Sequence, residues 1–131
     1  MFLARLAEAE RVKAFVDKAC SAWGVTRASG YKLHLIVEEL FTNTVKHGHR
    51  GDCNAPVWIS MRCHDDHFDL TFTDHAPPFN PVAHASSLNA ESGASKHQVG
   101  GLGVLLICEL ARTAQYAYVF GRNSIRLTVP R

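Results

Sequence analysis

Glu39 and Asn43 stand four residues apart in the run Val37-Glu38-Glu39-Leu40-Phe41-Thr42-Asn43-Thr44, a spacing that puts both side chains on one face of a helix. Asn43 offers a neutral carbonyl oxygen, a suitable ligand for a Mg²⁺ ion already carrying phosphate oxygens and water. Glu39 beside it can accept a proton from an attacking hydroxyl or water. Alone the pair is a weak signal, because a Glu and an Asn at this spacing are more often merely exposed. Glu38 is rotated by about 100° from Glu39 and cannot share its task. Lys46 and His47 extend the same side, where Lys46 could meet a phosphate, although a solvated lysine is the default.

Asp74 is the second candidate. It ends a strand and opens Asp74-His75-Ala76-Pro77-Pro78-Phe79-Asn80-Pro81. A carboxylate there, beside a proline-stiffened turn, can accept from an exocyclic amine such as that of adenine; the plainer alternative is an aspartate making its own turn. The third candidate is Gly100-Gly101-Leu102-Gly103, which opens a helix. Without Cβ atoms the backbone can approach a ligand closely, and the helix start presents free N–H groups to phosphate. It is neither a Walker A nor a Rossmann motif, since no Lys-Ser/Thr follows and no strand precedes. The densest histidine cluster, Cys63-His64-Asp65-Asp66-His67, lacks the paired spacings of structural zinc. Asp65-Asp66 sits where a hairpin turn belongs, so a polar turn is the expectation and no His/Cys metal site is assigned.

The elements that would carry these residues follow from periodicity. Val12, Phe15, Val16, Ala19, Cys20 and Trp23 fall at helical spacing, and Gly24 stops that helix. Thr26 suits the N-cap of a second helix, which carries Leu33, Ile36, Val37, Leu40, Phe41 and Thr44 on one face and ends near Gly48. Val57, Ile59 and Met61, then Phe68, Leu70 and Phe72, alternate with polar residues as two strands of a hairpin turning at His64 to Asp66. Ala83 to Val99 is small, polar and aperiodic, as a lid or binding loop would be. Leu102 to Arg112 is a third helix. Tyr116 to Phe120 and Ser124 to Val129 form a last hairpin around Gly121-Arg122-Asn123. Helices segregated from antiparallel strands predict an α+β, two-layer sandwich: a mainly antiparallel mixed sheet with helices on one face.

Composition limits the function classes. A chain of 131 residues is the size of one domain, 1–131, and 47% hydrophobic with 20% charged residues is ordinary for a soluble protein. A net charge of +2 with scattered Lys and Arg gives no reason to expect direct nucleic-acid binding. No apolar run approaches the roughly 20 residues needed to cross a bilayer. The N-terminus does not look like a signal peptide, and the four dispersed cysteines read as reduced thiols in a cytoplasmic protein.

The order of the motifs adds weight that none has alone. A Glu/Asn helix, a strand-end Asp, an irregular segment and a Gly-rich helix start together resemble the anti-sigma-factor serine kinases of the RsbW and SpoIIAB kind. These belong to the wider superfamily of histidine-kinase, gyrase and heat-shock-chaperone ATPase domains. The resemblance runs from about Leu6 to the end and implies a Bergerat-type ATP-binding fold. It implies ATP and Mg²⁺ as ligands, Glu39 as catalytic base and Asn43 as the Mg²⁺ ligand. It further implies Asp74 as reader of adenine, with Lys46, Ala76, Phe79, Gly101, Leu102, Gly103 and Ser124 also at the nucleotide. Ala83 to Val99 would be the ATP lid. The implied partners are a STAS-domain anti-anti-sigma protein and a sigma factor, with a homodimer left open. Two rival roles share these residues: a non-catalytic ATP-binding sequestration module and a positive-regulator switch kinase. Two departures set expectations. Ala76 stands where the family usually has Gly, which would cost on the order of 1 kcal/mol if that position needs positive φ. Only Met1 to Leu3 precede the first helical residues, so the sheet is expected to lack an edge strand.

Overall fold

The computed structural model describes residues 1–83 and 101–131, the side chains at 101, 102 and 104 excepted. Residues 84–100, which hold nearly all of the expected lid and the first glycine of the Gly-rich turn, lie outside the described residues.

The first helix, α1 (Ala9–Trp23), ends where Gly24 turns left-handed at φ 61° and its N–H closes on the carbonyls of Cys20 and Ser21. Two residues later Thr26 caps α2 (Arg27–Asn43), its side chain accepting from the Ser29 N–H. The apolar stripe of α2 buries Leu33, Ile36, Val37, Leu40 and Phe41. Beyond Asn43 the helix widens into a π-helical turn, Thr44–Gly48, in which the His49 N–H reaches back to the Thr44 carbonyl at 2.9 Å. Such wide turns alter the direction of the side chains that follow, and they are frequent at functional sites.

The strands are β1 (Phe2–Leu3), β2 (Pro56–Cys63), β3 (His67–Asp74), β4 (Thr113–Val119) and β5 (Arg122–Pro130), and α3 (Gly101–Leu110) precedes β4. They form one five-stranded sheet in the order β1-β2-β3-β5-β4. All four pairings are antiparallel rather than mixed. The expected gap at the edge is filled after all, because Phe2 and Leu3 pair with Val57 and Pro56 of β2. Phe2 is buried, and this anchors the short strand.

β3 is central, and its burial alternates strictly. Phe68, Leu70, Phe72 and Asp74 face inward, while His67, Asp69, Thr71 and Thr73 face out. On β5 the inward set is Asn123, Ile125, Leu127 and Val129. Val12 and Val16 of α1, the α2 stripe and Ile107 of α3 close over these columns to make one core.

The last hairpin turn begins one residue earlier than the expected Gly121-Arg122-Asn123. Phe120 and Gly121 form the turn with φ of 54° and 72°, as a two-residue type I′ connection requires. Asn123, read from the sequence as a turn residue, is therefore a strand residue whose side chain points into the protein.

Candidate nucleotide-binding site

Three polar side chains occupy positions that the apolar pattern reserves for the core: Thr44 on the helix stripe, Asp74 on β3 and Asn123 on β5. All three are buried, and they meet. Asp74 and Asn123 are register partners at the ends of adjacent strands. Burying these groups is tolerable only if they are mutually satisfied.

The bonds account for nearly every atom. Asp74 Oδ1 accepts from the Ala76 N–H at 3.0 Å and from Asn123 Nδ2 at 2.9 Å. Its Oδ2 accepts from the Thr44 hydroxyl at 2.8 Å. Asn123 Nδ2 also donates to the carbonyls of Ala76 and Pro77 at 2.9 and 3.1 Å. Asn123 Oδ1 accepts from the Phe79 N–H at 3.1 Å and from the Tyr116 hydroxyl. Burial raises the Tyr116 phenol above its ordinary value, with the Asp74 and Tyr118 charges adding to the effect, so the phenol remains a donor. Asn123 thus ties the 76–79 loop to the sheet. A carboxylate has about four lone-pair sites; three are used, and one position on Oδ2 remains for an outside donor.

Asp74 lines a cavity of about 440 Å³, together with Leu40, Asn43, Phe72, Phe79 and Ile125. Leu40, Phe72 and Ile125 give it an apolar floor, while His47 and Arg50 stand among the lining residues as cationic or polar groups. Arg50 is held at φ 59°, a conformation uncommon for a side-chain-bearing residue and often retained at functional sites. A flat heteroaromatic ring with an amino edge fits the combination of apolar walls and one fixed carboxylate acceptor.

The residues singled out from the sequence fall in different places. Asn43, Asp74, Ala76 and Phe79 line the cavity. Lys46 is exposed and outside the lining. Ser124 lies on the opposite face of the sheet, because strand alternation gives the inward positions to Asn123 and Ile125. Glu39 is also outside the lining. Its carboxyl instead rests on the first turn of α3, where a Cβ added to Gly103 would stand 1.9 Å from Glu39 Oε2 and 2.5 Å from its Cδ. Gly101 and Leu102 begin that helix. The side chains missed from sequence are Thr44, Arg50, Tyr116 and Asn123. A signal existed for Thr44 and Asn123, since both continue an apolar period with a polar residue.

Ala76 carries none of the expected strain. Among described non-glycine residues only Arg50 and Phe120 have positive φ. Ala76 is buried, and its methyl fills space above Gly48, where an added Cβ would lie 2.8 Å from the Ala76 Cβ. Helix propensity alone would favour Gly48→Ala by up to about 1 kcal/mol, but overpacking of about 1–3 kcal/mol opposes it and should win. Denaturant unfolding is expected to show Gly48→Ala less stable than the parent, with Ala76→Gly in the same chain recovering most of the loss. Equal stability of the single and double variants would show that this contact is not the cause.

A family model described as Histidine kinase-like ATPase domain matches residues 2–129 of the chain. No curated protein matches it.

Proposed function

We infer, from the premise that this chain belongs to the histidine kinase-like ATPase domain family, that it is an ATP-dependent serine protein kinase of a partner-switching pathway. Its acceptor is a serine on a small STAS-domain antagonist, and its other protein partner is a sigma factor. The single observation supporting catalysis over simple binding is the position of Glu39. A carboxylate on the first turn of α3, one helical turn from Asn43, stands beside the ground where a helix N-terminus favours phosphate. A module that only held nucleotide would have no use for a base there.

The residues divide the task. Asp74 accepts from the amino edge of the adenine, with Thr44 and Asn123 fixing its orientation. Leu40, Phe72 and Ile125 exclude water from the ring. His47 and Arg50 offer N–H groups towards the more polar part of the ligand. Asn43 would hold Mg²⁺, which supplies compensation for charge on the phosphates. Glu39 takes the proton from the acceptor hydroxyl as it attacks.

Calorimetric titration of the chain with ATP, with and without Mg²⁺, tests the first requirement. One ATP per chain is expected, bound more tightly with Mg²⁺ present, and the Mg²⁺ dependence should be lost in Asn43→Ala. No heat at millimolar ATP would exclude a kinase. ATP binding without transfer to any STAS-domain acceptor would instead leave a sequestration module.

A further inference from the structure

The other end of β3 carries a cluster that the nucleotide reading leaves unused. β3 is eight residues long, so His67 lies about 23 Å along the strand from Asp74 at roughly 3.3 Å per residue. Asp65 and Asp66 make the turn from β2, which the His64 N–H closes on the His67 carbonyl at 2.8 Å. His67 and Asp69, two apart on β3, project from the outer face of the sheet. The imidazoles of His64 and His67 stack with centroids 4.5 Å apart and planes 17° from parallel.

Both rings aim Nε2 at one carboxylate. His64 Nε2 is 2.9 Å from Asp69 Oδ2, and His67 Nε2 is 3.6 Å from Asp69 Oδ1. One ligand atom from each of the three residues lies within 4.8 Å of the others. The other nitrogen of His67, Nδ1, meets Asp66 Oδ1 at 2.5 Å. That bond draws the proton to Nδ1 and leaves the Nε2 lone pair facing a second acceptor, beyond hydrogen-bond range. A carboxylate behind a histidine whose opposite nitrogen faces further donors is the arrangement that orients imidazole ligands of metal ions.

We propose that His64, His67 and Asp69 form a surface site for one divalent transition cation of borderline softness, Zn²⁺ or Ni²⁺, with Asp66 orienting His67. Two imidazoles and a carboxylate suit such ions and not Mg²⁺. Bonds of about 2.0–2.2 Å ask the donors to lie some 3–3.6 Å apart, which the two contacts to Asp69 already approach. His64 and Asp69 are 44% and 48% exposed in their side chains, which leaves room for water to complete the coordination. The support is held from behind. The Arg131 N–H donates to the Asp66 carbonyl at 2.9 Å, Arg131 Nη1 donates to the His64 carbonyl at 3.1 Å, and Arg112 lies 3.6 Å from Asp66 Oδ2.

The full chain, stripped with chelator and dialysed, would be titrated at neutral pH with Zn²⁺ and separately with Ni²⁺, without nucleotide. One ion per chain is expected. His67→Ala should abolish saturable binding, and Asp66→Asn should weaken it about 10–100-fold, with unchanged circular dichroism and unchanged Mg-ATP affinity. Excess Mg²⁺ should not displace the ion. The absence of saturable binding by either cation would overturn the proposal. So would binding that His67→Ala leaves intact, because the ion would then sit on other histidines or thiols.

Discussion

Asp74→Asn should lose ATP affinity by about a hundredfold or more while the protein stays folded. The existing bonds dictate the outcome. Two donors, the Ala76 N–H and Asn123 Nδ2, converge on Oδ1, so an asparagine must keep its oxygen there. Its NH₂ then replaces Oδ2. Thr44 can rotate its hydroxyl to accept, which keeps the interior satisfied. The adenine amino group cannot adapt in this way and would meet a donor where it needs an acceptor.

Losing a hydrogen bond to a charged acceptor costs about 1.5–3 kcal/mol, and an opposed donor pair adds to that. Calorimetry of ATP binding reads the loss, and thermal unfolding checks the fold. The same substitution should narrow or reverse the preference for ATP over ITP, whose ring carries an oxygen at the amino position. ATP affinity within threefold of the parent would mean that adenine does not dock on Asp74. Asp74→Ala is the poorer test, because it takes the acceptor from the Thr44 hydroxyl and the Ala76 N–H in a buried place and risks the fold itself.

The fold was legible wherever one periodicity ran without interruption. Phe68, Leu70 and Phe72 predicted β3, and the α2 stripe from Leu33 to Phe41 predicted its buried face. Gly24 and Thr26 marked the helix junction because each has a local mechanism, a left-handed C-cap and a side-chain N-cap. Legibility failed where pairing decided the outcome. Gly121 drew the last turn towards Arg122 and Asn123, although extending the alternation of Val129, Leu127 and Ile125 by one step puts Asn123 inside. The same parity sends Ser124 to the far face. The two-residue β1 carries no period of its own and exists because β2 offers Phe2 and Leu3 an edge. Asp74 was visible as a strand-end carboxylate, but its partner across the register was not, since spatial neighbours from β5 are not neighbours in sequence.

Glu39→Gln separates chemistry from binding. Glutamine keeps the size of the side chain and its place against Gly103 but cannot take a proton. Transfer of phosphate to a STAS-domain serine is expected to fall by about 10²–10⁴-fold, the range over which a positioned general base contributes. ATP affinity should stay within a few-fold, because Glu39 is not part of the cavity lining. Glu38→Gln is the internal control: Glu38 is exposed on another side of α2, and both activities should be unchanged. Gly103→Ala approaches the same residue from the other helix. A methyl there would overlap the Glu39 carboxyl, the far end of a flexible side chain, so the carboxyl must swing aside with little effect on the fold. Transfer should therefore fall in Gly103→Ala with the unfolding temperature nearly unchanged. Full-rate transfer by Glu39→Gln, measured at saturating Mg-ATP, would remove Glu39 as the base. The chain would still transfer phosphate, with the proton taken by solvent or by the partner rather than by Glu39.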